Sequence, residues 1–246
     1  MPIPYILTVA VQLFFMVHVG RTGRPWYWIA IIFFLPLFGV LAYIVFELLP
    51  GASRSPAAYR AFSQAKRIVD PAGDYRARLM RLELTPTIAN RKSLAEECIR
   101  LGRFDEAETL YRDSLTGMHA NDPYLMSGLA RTQFTAGNLD GCLETIGALR
   151  EANPTFRDAD THLLMARCLE GLSHNQEALA EYETLTGYYA GEEPRIRHAL
   201  LLRKMGELDA ARREFEEVRR SVQRSPSFYR RNQREWYRVA QQNLRG

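Results

Sequence analysis

A unit of about 34 residues recurs four times in this chain, and a repeat of that length fixes the fold before any single helix is considered. Arg100-Leu101-Gly102-Arg103-Phe104-Asp105-Glu106-Ala107 is followed by Tyr111, and Ala136-Gly137-Asn138-Leu139-Asp140-Gly141-Cys142 by Ile146 and Pro154. Ser173-His174-Asn175-Gln176-Glu177-Ala178 leads to Tyr182, and Met205-Gly206-Glu207-Leu208-Asp209-Ala210-Ala211 to Phe215. The small residues Ala107, Cys142, Ala178 and Ala211 stand 35, 36 and 33 residues apart. A Gly or its equivalent at 102, 137, 173 and 206 predicts a left-handed turn between two antiparallel helices. The small residue five positions on lets the helices approach, and the larger apolar residue four further on faces the neighbouring pair. No pair covers its own apolar face, so the pairs must stack.

These positions resemble the tetratricopeptide repeat, over about Ile88 to Ser225. Leu94-Ala95, Leu129-Ala130, Met165-Ala166 and His198-Ala199 occupy the matching first-helix sites, while His198, Asn175 and Leu139 depart from the family pattern. The resemblance implies an all-α, right-handed solenoid with a concave peptide-binding groove. Carried over residue by residue, the family's groove positions are Lys92, Glu96, Arg100, Arg131, Phe134, Arg167, Arg197 and Arg203. Most are basic, and arginine holds carboxylates bidentately, so the expected partner is a protein offering an acidic segment. The family's carboxylate clamp uses asparagines where this chain has Glu96, Arg131 and Arg167, which argues against that particular chaperone ligand. Residues 226–246 place Tyr229, Gln233, Trp236, Ala240 and Leu244 on one helical face opposite arginines, the pattern of a capping helix.

The first fifty residues follow a different rule, with Arg21, Arg24 and Glu47 their only formal charges. Trp26 to Leu49 is a 24-residue run that would rise about 36 Å as one helix. Residues 1–20 are also apolar apart from Gln12 and His18, and the intervening Gly23 and Pro25 suit a tight reversal, so 1–50 reads as a transmembrane helical hairpin. It lacks the basic start and small-residue cleavage site of a signal peptide. His18 and Glu47 fall at opposite interfaces in such a hairpin.

Gly23-Arg24-Pro25-Trp26-Tyr27-Trp28 and Leu35-Pro36-Leu37-Phe38-Gly39, with Tyr43 and Phe46, resemble the membrane hairpin of bacterial cardiolipin synthases and phospholipase D relatives. None of the five histidines is followed by the His-x-Lys-x4-Asp signature of that family's catalysis, so the resemblance implies an anchor. An accessory role in phospholipid metabolism is the alternative it raises. The whole architecture resembles a bacterial family that joins this hairpin to tetratricopeptide repeats.

Charge is segregated along the chain. Residues 50–92 carry nine Lys/Arg against three Asp/Glu, and 219–246 carry eight against one, whereas 93–218 hold thirteen against twenty-three. Basic flanks suit anionic lipid headgroups. Arg54, Arg60, Lys66 and Arg67 outnumber Arg21 and Arg24, which places both termini and the bulk of the chain on the cytoplasmic side of a bacterial inner membrane. Residues 51–87 read as a basic stalk with short helices at 57–69 and 74–84, separated by Asp70-Pro71-Ala72-Gly73.

The motifs that carry common chemistry are missing. There is no glycine-rich phosphate loop, GxSxG, HExxH or calcium loop, so an adaptor without a cofactor is expected rather than an enzyme. Cys98, Cys142 and Cys168 show no CxxC spacing and fall at packing positions. His119, His162 and His174 form no i, i+4 ligand pair, and the aromatic, arginine-rich final segment lacks a nucleic-acid motif.

Overall fold

Four left-handed residues punctuate the chain where the repeat requires them. In the computed structural model, which describes residues 3–22, 25–44 and 70–245, Gly102, Gly137, Ser173 and Gly206 have φ of 74°, 84°, 65° and 91°. Each closes the same pair of hydrogen bonds. The amides of Arg103, Asn138, His174 and Glu207 donate to the carbonyls of Cys98, Gln133, Leu169 and Leu202, and the left-handed residues donate to Ile99, Phe134, Glu170 and Arg203. This is the Schellman arrangement, which satisfies the last carbonyls of a helix while reversing the chain.

Every regular element among the described residues is helical. The chain forms two compact units, Met1–Gly73 and Asp74–Gly246. In the second, α4 (Gly73–Leu84, its first residue at the boundary) precedes four helix pairs. These are α5 (Ile88–Arg100) with α6 (Phe104–Ser114), α7 (Pro123–Thr135) with α8 (Leu139–Ala152), α9 (Ala159–Gly171) with α10 (Asn175–Thr186), and α11 (Glu193–Lys204) with α12 (Leu208–Arg224). Two further helices, α13 (Ser227–Asn232) and α14 (Arg234–Arg245), complete it. The first helices of three pairs start on Thr87, Asp122 and Asp158, whose side chains accept backbone amides. These caps stand 35 and 36 residues apart, so the repeat extends to the helix starts.

Packing follows the predicted ladder. Ala107, Cys142, Ala178 and Ala211 are buried at the pair crossings, and Tyr111, Ile146, Tyr182 and Phe215 are buried four residues on. Gly128 shows why one site must stay small: a Cβ there would come within 2.8 Å of the Tyr111 hydroxyl. Three apolar clusters follow one another along the unit, around Tyr111, Tyr182 and Phe215.

Both ends of the stack are covered. α4 was expected as part of a stalk, but its Tyr75, Leu79 and Leu82 pack on the cluster around Leu94 and Tyr111. Arg78 donates to the Ser93 carbonyl and hydroxyl and lies 3.9 Å from the buried Glu97, while the Tyr75 hydroxyl donates to Glu106 at 2.7 Å. At the other end, Tyr229, Trp236, Ala240 and Leu244 of α13 and α14 pack with Ile196, Phe215 and Val222. The buried Glu192 carboxylate accepts from Ser221 and Tyr229, and its amide donates to Gln233. The expected helix at 57–69 lies outside the described residues.

The first unit departs from the expected hairpin. α1 (Ile3–Arg21) forms, but the continuous helix expected over Trp26–Leu49 is replaced by α2 (Tyr27–Phe34) and α3 (Pro36–Tyr43). The break is at Leu35, with φ −125° and ψ 76°, because Pro36 disfavours helical geometry in the residue before it. α3 then folds back on α2, and a Cβ on Gly39 would lie 2.8 Å from the Ile32 Cα. Among the described residues no helix is long and apolar enough to cross a membrane. An eight-residue helix rises only about 12 Å. His18 Nδ1 lies 3.1 Å from the Tyr43 hydroxyl. Glu47 lies outside the described residues.

Candidate functional site

The first helices α5, α7 and α9 contribute to one shared face. A pocket of about 280 Å³ on it is lined by Lys92 and Glu96 from α5, Tyr124, Ser127, Gly128 and Arg131 from α7, and Asp160, Thr161 and Leu164 from α9, with Asp158 at its edge. Three of the expected groove residues, Lys92, Glu96 and Arg131, thus meet in one depression. Their spacing explains it: Lys92 stands four residues before Glu96 as Ser127 stands four before Arg131, and residues four apart share a helix face.

The pocket is electrostatically mixed. Lys92 and Arg131 form no ion pair among the described residues and are the cations it offers. Asp158 is committed to the start of α9, accepting from the Thr161 amide at 2.8 Å, and Asp160 accepts from the Tyr189 hydroxyl at 3.2 Å. Burial, reinforced by Asp160, pushes the Tyr189 phenol up to about 12. Beneath Arg131, burial raises the Tyr111 pKa, while the guanidinium pulls it the other way.

The other expected groove residues are engaged in holding the fold. Arg100 pairs with the buried Glu97 on its own helix. Arg167 lies over the Phe134 ring at 4.6 Å and 3.9 Å from Glu193, and Glu193 also accepts from Arg197 at 2.7 Å. Arg197 in turn lies 5.8 Å from the Trp236 ring centre, and Arg203 donates to Asn243 of α14. A chain of contacts therefore runs from Phe134 through Arg167, Glu193 and Arg197 to Trp236, which ties the last three pairs and the cap together. Lys92 and Arg131 are the expected basic residues that line the pocket. Glu193, Trp236 and Asn243 were missed as partners because no repeat position marks them.

A second depression, about 680 Å³, opens at the loop between α8 and α9. Ile146, Leu149, Pro154 and Phe156 form apolar lining, with Arg150 and Arg157 beside them. His162 reaches both the Tyr188 hydroxyl and the Glu181 carboxylate there. Among the described residues, no group of three or more His, Cys, Asp or Glu side chains could hold a metal ion. The three cysteines are free and buried, and the hydrogen bond to Cys168 together with burial pushes the Cys142 thiol up. None of them is an exposed nucleophile.

The tetratricopeptide repeat family model matches residues 99–168, from the end of α5 through most of α9. Among solved structures, a thermophilic TPR protein of Thermus thermophilus is 19% identical with a TM-score of 0.53, covering 74% of this chain and 95% of that one. The MamA MSR-1 C2 structure is 18% identical with a TM-score of 0.53, covering 69% of this chain and 98% of that one. No curated protein sequence matches the chain. The repeated turns, the buried ladder and these likenesses together identify the second unit as a tetratricopeptide-repeat fold.

Proposed function

We propose that this protein is a membrane-associated adaptor whose concave face takes an extended segment of a partner protein through Lys92 and Arg131. The observation that supports this most is the pocket shared by α5, α7 and α9, where these two cations form no ion pair among the described residues although Glu96, Asp158 and Asp160 line the same depression. A segment carrying a carboxylate fits there, because charge-assisted hydrogen bonds to Arg131 replace water on both sides. Asp160, on the far wall, favours a donor group further along the same segment. The apolar first unit favours attachment to a bilayer, with the repeats on the cytoplasmic face of a bacterial inner membrane. Assisting the assembly of a membrane complex is the role this arrangement serves.

Binding of a panel of fluorescent peptides to the full chain in mild detergent tests the groove. Extended peptides with Asp or Glu should bind, and their Gln or Asn counterparts should bind at least tenfold less well, since hydrogen bonds to charged groups contribute about 1.5–3 kcal/mol. Equal binding of acidic and amidated peptides would contradict the reading.

A further inference from the structure

The path of the apolar first unit determines which sides of a bilayer its ends can reach. α2 runs from Tyr27 to Phe34, the chain turns at Leu35-Pro36, and α3 brings Tyr43 back to the level at which α2 began. The Tyr43 ring lies 5.4 Å from Trp28 and 6.1 Å from His18, between centres. In one continuous helix the fifteen residues from Trp28 to Tyr43 would span about 22 Å.

The fold-back has its own internal support. A helical carbonyl at Ile32 would accept from the amide of residue 36, which is proline and has none. Gln12 of α1 donates to that carbonyl at 2.8 Å, so the polar residue in an otherwise apolar helix satisfies the group the proline leaves open. Backbone that breaks a helix inside a bilayer is tolerated where such a partner exists. Gly39 admits the close approach of α3 to α2.

The outside of the unit is apolar at the turn and aromatic at the base. Phe33, Phe34, Leu35 and Phe38 are exposed around the turn, and Trp26 and Tyr27 are exposed where α2 begins. Trp and Tyr concentrate at headgroup level, and a depth of about 12 Å stays within one leaflet of a hydrocarbon core about 30 Å thick.

Resting on the proposed membrane attachment, we infer that 25–44 enters a lipid bilayer as a re-entrant wedge, so that the turn at Thr22 and the chain after residue 44 lie on the same side. Charge supports this path over a crossing hairpin. By sequence order Arg21 and Arg24 precede the wedge and Arg54, Arg60, Lys66 and Arg67 follow it. A path that returns to its own side lets all six count toward one side under the positive-inside tendency, whereas a crossing hairpin divides them. The occupant of the apolar surface is therefore lipid with anionic headgroups at its rim.

Labelling with an impermeant maleimide tests the inference on the full chain, with Cys98, Cys142 and Cys168 replaced by Ala. Thr22→Cys and Ser227→Cys should both be protected in intact spheroplasts and both react in inverted inner-membrane vesicles. Reaction of Thr22→Cys alone in spheroplasts would overturn the wedge and restore a crossing hairpin. Reaction of both in spheroplasts would support the wedge and reverse the side assigned to the repeats. Alkaline-carbonate extraction of the same membranes keeps the two readings apart: a chain that leaves the membrane there refutes the attachment itself. Phe34→Glu with Phe38→Glu should shift the protein from the carbonate-resistant to the extracted fraction, whereas a wedge on which both substitutions leave that partition unchanged does not enter lipid.

Discussion

Ser173 is the one non-glycine among the four left-handed turn residues, and its conformation has a measurable cost. A side chain at such φ is disfavoured by roughly 1–2 kcal/mol, partly offset by the greater chain entropy that glycine loses on folding. Ser173→Gly should therefore stabilise the repeat unit by about 0.5–1 kcal/mol, a rise of a few degrees in Tm. A lowered Tm would show that the serine side chain has a favourable role the turn geometry does not reveal. His198 tests a second residue-scale argument. It stands where the family places Leu, its Nδ1 is buried without a hydrogen bond, and burial lowers its pKa against the opposing pull of Glu214 and Glu183. The folded chain thus binds fewer protons here than the unfolded chain between the lowered value and the ordinary one of about 6.5, so stability falls as pH drops through that interval. His198→Leu should reduce the loss of Tm between pH 7.5 and 5.5. An unchanged difference would assign the acid sensitivity to other groups.

Helix ends and helix caps decide how far the elements were legible in advance. The turns at 102, 137, 173 and 206 and the buried ladder of Ala107, Cys142, Ala178 and Ala211 follow from spacing, because a backbone conformation and a close approach each restrict residue type locally. The path of α2 and α3 did not, since hydropathy counts apolar residues and is blind to the direction in which they run. Pro36, Gly39 and Gln12 held that information together, and each was readable only as an isolated exception. The groove shows the same division. Lys92, Glu96 and Arg131 meet because they share a period, while Arg167, Arg197 and Arg203 are drawn off by Glu193, Trp236 and Asn243 from elements no spacing connects. Ending the chain at Ser225 removes α13 and α14, uncovers Ile196, Phe215 and Val222, and leaves the buried Glu192 without Tyr229 and Gln233. Hydrogen exchange in α11 and α12 should then rise strongly, while α5 to α8 keep their protection, because stability in a repeat array passes mainly between neighbours. Uniform loss across all pairs would contradict that locality.

At the scale of the molecule, two units obey different solvents. The first exposes aromatic and aliphatic side chains that water does not favour, and the second buries its apolar ladder between α4 and α14. A fragment of residues 70–246 should accordingly fold cooperatively without detergent, with the helical content of four pairs and both covers. The proposed adaptor function then rests on Lys92 and Arg131 in the pocket shared by α5, α7 and α9. The most direct measurement of that claim compares acidic-peptide affinity for Lys92→Ala with Arg131→Ala against Arg230→Ala with Arg234→Ala, which removes the same charge from the capping segment. The groove pair should weaken binding about thirtyfold, equivalent to about 2 kcal/mol, with Tm nearly unchanged, while the capping pair weakens it little. Equal losses for the two pairs, or no loss for the groove pair, would contradict recognition at the concave face.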